Sequence, residues 1–345
     1  MDTFNIFLDT SIYVGINFNF KNKRMQTLIE LVEDGFVNLY KTPITEKEVY
    51  NNIRKSVDHS RQYINLLKKE GKILRNIPEY EHLWNRSTIS NATLRLEENF
   101  KAFLEKAKVR EIAISNKGVL EIFDRYFESK PPFSEQKKSE FPDAFVLDSI
   151  AEWTKENKEI LYVVSTDSDM KNYCAEQNNL IYVESLEKML DIIYQNDDVK
   201  YNSVQKLYDD YSGEFLEYIN SSIDQLIFDT YDLYGDVEVI KIEAFEMDED
   251  PLVMSIKDNK VALVFNTEIS YTVSISYLDE SNSVYDREAG EYIFTEYDSK
   301  TVEDVATIQV ELELDVTDYQ ELNFEFEKVI FNKGDIFYIS LLDEY

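Results

Sequence analysis

Four acidic residues stand at junctions between strand-like and helical text. Asp9 follows Phe4-Asn5-Ile6-Phe7-Leu8, and Asp167 follows Ile160-Leu161-Tyr162-Val163-Val164. Glu48 lies in the helical text after the strand-like Phe36 to Lys41, and Asp143 opens the helical text from Ala144 to Trp153. Acids at such junctions can meet although far apart in sequence, because adjacent parallel strands deliver the loops at their carboxyl ends to one crevice. Several carboxylates gathered there call for a cation, and hard oxygen ligands that leave room for water suit Mg2+ or Mn2+. That chemistry activates a water and neutralises charge on a phosphate oxygen. The rest of the composition offers little else. One Cys, Cys174, and two His, His59 and His82, exclude a Cys/His zinc site, a disulfide framework and a Ser-His-Asp triad. Only 8 Gly are present and neither Gly-rich phosphate cradle occurs, which makes nucleoside triphosphate hydrolysis an unexpected activity.

Each acid also has a local explanation. Asp9 and Asp167 sit where Asp side chains cap helices. Thr45-x-x-Glu48 reads as a capping box, in which Glu48 reaches back to the Thr45 backbone. Asp143 follows Pro142 in a first turn, where the helix dipole favours an acid. On the residues alone, four ordinary helix starts and one acidic centre remain open.

The elements that would position these acids are readable. The 345 residues suffice for two or three domains, and 24 Tyr and 21 Phe with 43% hydrophobic residues exclude disorder for most of the chain. An apolar-rich run at 4–8 and an unalternating apolar run at 160–164, with helical spacing between them, predict an α/β fold with a parallel sheet covered by helices on both faces. Residues 79–130 read as mostly helical, and 201–231 as two connecting helices broken near Gly213. From Asp236 the period shortens to two, predicting a sandwich or barrel of about seven to nine antiparallel strands. The expected organisation is thus an α/β domain over 1–197, a helical connector over 198–234 and an acidic β-rich domain over 235–345.

Charge divides along the same line. Residues 1–200 carry 28 basic and 33 acidic residues, whereas 201–345 carry 8 and 35. Within the first part, residues 51–138 hold 18 basic against 12 acidic, with Arg54, Lys55, Arg61, Lys68 and Lys69 close together. Alone, such a stretch reads as a solvated helix face. The N-terminus lacks a basic and apolar leader pattern and no apolar run approaches membrane-spanning length, so a soluble cytoplasmic protein without membrane association is expected.

The residues around the acids resemble the four motifs of the PIN-domain nucleases, over about residues 1–195. Phe7-Leu8-Asp9-Thr10-Ser11-Ile12 is similar to the opening hydrophobic-Asp-Thr-Asn/Ser signature. Pro43-Ile44-Thr45-Glu46-Lys47-Glu48-Val49 is similar to the second motif and favours Glu48 over Glu46. Pro142-Asp143-Ala144 resembles the third, and Val164-Ser165-Thr166-Asp167-Ser168-Asp169-Met170 the fourth, with Ser165 where Thr is usual. The resemblance implies a metal-dependent endoribonuclease acting on single-stranded or loop RNA, less often on DNA. Asp9, Glu48, Asp143 and Asp167 would be both the catalytic residues and the ligands of Mg2+ or Mn2+, with Asp169 as a fifth acid. Thr10, Ser11 and Ser165 would hydrogen-bond a ligating carboxylate or a phosphate, and Arg54, Lys55, Arg61, Lys68 and Lys69 would position the RNA backbone. A regulated toxin or antiviral-defence effector fits this reading, as does homo-oligomerisation. The acidic β domain, with acids on alternating outward positions such as Glu311-Leu312-Glu313, would serve autoinhibition or a protein partner. The reading from another class is a PIN-like scaffold with weak or no catalysis.

Overall fold

A strand that is apolar at four of five positions has no face to offer water, and all five residues of β1 (Phe4–Leu8) are buried, Asn5 with its amide hydrogen-bonded to Glu159 and to the Ile160 carbonyl. The computed structural model describes residues 3–84, 91–133, 141–195, 198–230 and 235–339. It divides into two compact units, Met1–Ile193 and Tyr194–Tyr345. No helix among the described residues is long and apolar enough to cross a membrane.

In the first unit, α1 (Thr10–Gly15) and α2 (Lys23–Glu33) lead from β1 to β2 (Val37–Lys41). Then come α3 (Pro43–Glu70), α4 (Ala92–Lys106), β3 (Arg110–Glu111), α5 (Val119–Phe127) and α6 (Phe141–Asn157). β4 (Leu161–Val164), α7 (Ser168–Ala175), β5 (Leu180–Val183) and α8 (Leu186–Tyr194) complete it. The sheet is parallel, in the order β3-β2-β1-β4-β5. The chain therefore runs outward from β1 to one edge and returns to β1's other side, which makes the β1/β4 junction the switch point where open α/β sheets place ligands.

Alternate residues of β1 feed both faces. Phe7 joins Val163 and Leu161 in a core completed by Leu147 and Ile150 of α6 and Met170 of α7. Ile6 and Leu8 point the other way and are equally buried. The buried pair of Arg24 and Glu187, 2.6 Å apart, ties α2 to α8. Tyr13, Phe20, Phe100 and Phe103 form an aromatic cluster that locks α1, the loop after it and α4 together. The two-residue β3 interrupts a stretch whose text reads as helical, because so short an edge strand leaves no period to detect.

The second unit begins with α9 (Asp198–Asp210) and α10 (Ser212–Ser222), followed by β6 (Phe228–Thr230), β7 (Asp236–Met247), β8 (Leu252–Lys257) and β9 (Lys260–Leu278). β10 (Val284–Asp286), β11 (Glu291–Phe294), β12 (Tyr297–Asp318), β13 (Asn323–Phe331) and β14 (Phe337–Ile339) follow. The main sheet is antiparallel, β13-β12-β9-β7, with β8 also on β9. Two two-stranded sheets, β10-β11 and parallel β6-β14, accompany it. β13 pairs only with residues 310–318 of β12, so residues 297–309 have no strand on that side among the described residues.

One sequence expectation changes here, and one element gains a partner. α9 and α10, expected as a connector, pack into the second unit. Val204, Leu207, Phe215 and Ile219 share one core with Leu263 of β9 and Leu312 of β12. Their helical period shows an apolar stripe, which by itself does not reveal what covers it. Glu311 is buried instead of exposed, while Leu312 and Leu314 alternate inward as expected. Phe215 is fully buried and contacts Tyr208 and Phe326 with ring centroids 5.3 and 5.2 Å away. Phe215→Ala should cost about 3–5 kcal/mol by cavity formation, read as a lowered melting transition of the second unit. A change under about 0.5 kcal/mol, typical of an exposed site, would return these helices to the role of connector.

Candidate active site

β1 and β4 pair in parallel register up to Leu8 and Val164, and the next residues, Asp9 and Ser165, emerge side by side. The Asp9 N–H donates to the Val164 carbonyl at 3.0 Å, so the junction is held by backbone before any side chain acts. Asp9, buried, caps α1, its Oδ2 accepting the Ser11 N–H at 3.1 Å. The same oxygen accepts the Ser165 hydroxyl at 3.0 Å. Ser165, fully buried, accepts in turn from the Asp167 N–H at 3.0 Å. Because its proton goes to Asp9, the 3.4 Å contact between the Ser11 and Ser165 hydroxyls has Ser11 as donor. Ser11 Oγ also accepts the Thr166 N–H at 3.2 Å. Asp167 caps α7 through the Asp169 N–H at 2.7 Å, and its side chain is half-buried. Both Asp9 and Asp167 are helix caps as the local reading holds, and the caps are what aim them.

Glu48 is not part of a capping box. α3 is capped one turn earlier by Thr42, whose hydroxyl accepts the Thr45 N–H at 3.1 Å, with Pro43 opening the helix. Glu48 instead crosses to the neighbouring helix, where its Oε2 accepts the Thr10 hydroxyl at 3.0 Å. Burial pushes the Glu48 carboxyl above the ordinary range, the Thr10 hydrogen bond pulls it partly back, and the charge of Asp9 raises it again. Glu46, the other acid of that motif, is occupied by Lys41, which also binds Glu111 at 2.7 Å. Ion pairing to those two carboxylates outweighs burial and raises the Lys41 pKa.

Asp143 lies half-buried in the first turn of α6, a helix that packs against both α3 and α7, which carry Glu48 and Asp167. Asp169 is half-buried one residue into α7. Tyr182 on β5, which sequence reading passes over, faces the same charges: burial and then Glu184, Asp167 and Asp9 raise its phenol pKa. Its cross-sheet register with Val163, itself paired with Phe7, puts it on the Asp9 side of the sheet, a fact that needs the strand order.

The donor set consists of carboxylate and hydroxyl oxygens, which fits Mg2+ or Mn2+, and the repulsion between Asp9 and Glu48 is what such a cation relieves. As they stand, no three His, Cys, Asp or Glu side chains among the described residues are grouped closely enough to hold a metal. The basic residues are all on α3, the 28-residue helix that carries Glu48 at its start. Arg54 pairs with Glu97 at 2.7 Å, Arg61 with Asp58 at 2.6 Å and Lys69 with Glu70 at 2.9 Å. Lys55 is exposed and Lys68 half-buried. Such exposed pairs contribute little to stability.

Residues 6–170, which contain all four acids, match the family profile of the PIN domain. That segment of the chain is a PIN domain, a family generally of nucleases and usually metal-dependent. No curated protein and no solved structure matches the chain.

Two outcomes follow from this geometry. Removing the Ser165 hydroxyl leaves the buried Asp9 oxygen and the Asp167 N–H each short of a partner, so Ser165→Ala should cost about 1–3 kcal/mol in unfolding experiments. A folded-state pKa above the ordinary 4.5 means that the folded chain binds the Glu48 proton more readily. The stability this gives is complete below that value and is lost as pH rises through the elevated pKa. Glu48→Gln should therefore be more stable than the parent at pH 7.5, with the advantage shrinking toward pH 4.5, as read by urea unfolding of the first unit. A difference independent of pH would show that Glu48 is not strained by its surroundings.

Proposed function

We propose that the first unit is a metal-dependent endoribonuclease that hydrolyses single-stranded or loop RNA, with Asp9, Glu48, Asp143 and Asp167 as the ligands of Mg2+ or Mn2+ and Asp169 beside them. The observation that carries this reading is the pairing of Asp9 and Asp167 through one buried hydroxyl at the switch point of a parallel sheet, with the repelled carboxylate of Glu48 alongside. The bound ion would supply an activated water and charge neutralisation at the phosphate. The chain does the rest. Ser165 and Ser11 fix the Asp9 carboxylate, so that its remaining oxygen is oriented without cost at the moment of reaction. Thr10 holds Glu48. Arg54, Lys55, Arg61, Lys68 and Lys69 would follow the RNA backbone along α3, exchanging carboxylate for phosphate partners. The acidic second unit would carry regulation, through a basic partner, in a toxin or defence setting.

The test is the purified full chain with Mn2+ against total RNA and single-stranded DNA. Asp9→Asn, Asp143→Asn, Asp167→Asn and Glu48→Gln should each lower RNA cleavage by about 100-fold or more, the scale of losing one charge-stabilising group, while circular dichroism stays unchanged. In parallel, Mn2+ at about 100 times its Kd should stabilise the parent by about 2.7 kcal/mol and the Asp9→Asn variant much less. Parent-level cleavage in all four variants would sink the assignment. Metal binding without cleavage of any nucleic acid would favour the scaffold reading.

A further inference from the structure

α1 has two ends with different surroundings. Asp9 caps its start, and beyond its end Asn17 and Phe18 adopt left-handed backbone, φ 50° and 54°. For a phenylalanine that conformation is costly, and it is held by burial of the ring, 3% exposed. The turn throws residues 17–21 over α4, where Leu96, Asn99, Phe103 and Lys106 recur on one face. Between the two lies a cleft of 370 Å3, within the range of about 300–1,000 Å3 usual for small-ligand sites.

The chemistry of its walls is specific. Its floor is aromatic, with Phe20 stacked on Phe103 at 5.3 Å and Phe18 beside them. Its rim carries amides. Asn17 and Asn99 make no side-chain hydrogen bond among the described residues, and Asn19 uses only its Oδ1, on the Lys21 N–H at 3.2 Å. Paired donors and acceptors above an apolar floor are the complement of a nucleobase, flat and apolar on its faces and polar on its edge. Lys21 and Lys106 also line the cleft, and neither has a carboxylate partner among the described residues. Within residues 1–200, where 28 bases meet 33 acids, two lysines at one cleft without a carboxylate partner among the described residues give it a positive rim suited to an anion.

We propose that this cleft binds a nucleoside monophosphate, its base on the aromatic floor against the amides and its phosphate on Lys21 and Lys106. The inference rests on the nuclease reading for the strand to which that nucleotide belongs. α1 has six residues, so its ends are about 9 Å apart, and the cleft holds a nucleotide near the one that meets Asp9. Gln26, whose amide donates to the Phe20 carbonyl at 2.7 Å, fixes the loop in the receiving shape.

The first measurement needs no activity: calorimetric titration of the full chain in EDTA with AMP, GMP, CMP and UMP, and with the matching nucleosides. At least one monophosphate should bind with Kd below about 1 mM, or −4 kcal/mol. Ala102→Trp, on the exposed side of α4 and filling the cleft, should weaken it at least tenfold. Lys21→Gln with Lys106→Gln should remove the preference for monophosphate over nucleoside. Failure of all four to bind, or undiminished binding to Ala102→Trp, overturns the proposal even if the chain cleaves RNA. Binding without cleavage leaves the cleft standing and removes the nuclease reading. With a cleavable oligonucleotide, a raised KM at unchanged kcat in Ala102→Trp assigns the cleft to the substrate strand. An unchanged KM assigns it to a free nucleotide.

Discussion

Everything at the acidic crevice depends on the parallel pairing of β1 with β4 ending at the same level on both strands. Leu8 and Val164 are the last pair in register, and the chain then leaves the sheet in two directions from adjacent points. Asp9 and Ser165 have no freedom to be elsewhere, since the backbone bond from Asp9 to Val164 already fixes the first of them. A single buried hydroxyl then couples the two exits, donating to one helix cap and accepting from the backbone at the other. Position comes from the sheet, and orientation comes from the serine.

The cap and the acid are not competing descriptions of Asp9 and Asp167. A capping carboxylate uses part of its hydrogen-bonding capacity on the helix and is thereby held in one rotamer, which is also what a group that must point at one place requires. Glu48 is different. It takes no part in ending a helix, sits half-buried next to a like charge, and is tolerated because Thr10 offers one hydrogen bond. Such a group is poorly explained by stability alone, and strained groups of this kind concentrate where proteins do chemistry.

What could be read in advance follows from what residue types encode. The apolar strands β1 and β4, and the acids at their ends, were legible because burial on both faces and helix starts leave local marks. At the start of α3 the Thr45/Glu48 spacing copies a capping box that the fold does not use, while Thr42-Pro43, one turn earlier, is the start signal that it does use. Strand order leaves no local mark at all, so the nearness of Tyr182 to Asp9 could not be inferred. The stripe on α9 and α10 showed that these helices bury a face, while its partner in β9 and β12 lies dozens of residues downstream. Glu311 is buried although its strand alternates, because a period of two tells which face a side chain takes and not whether that face is covered.

The stretch of β12 that β13 does not reach bears on how the protein behaves at high concentration. From 297 to 309 it has β9 on one side and, among the described residues, no strand on the other, the kind of margin along which identical molecules zip into stacked assemblies. Asp298, Glu303 and Asp304 lie along it, exposed, in a half of the chain where acids outnumber bases 35 to 8. Two such margins repel before their amides can meet. The acidity that looks excessive for folding thereby acts as a guard on colloidal behaviour, and screening by salt weakens that guard.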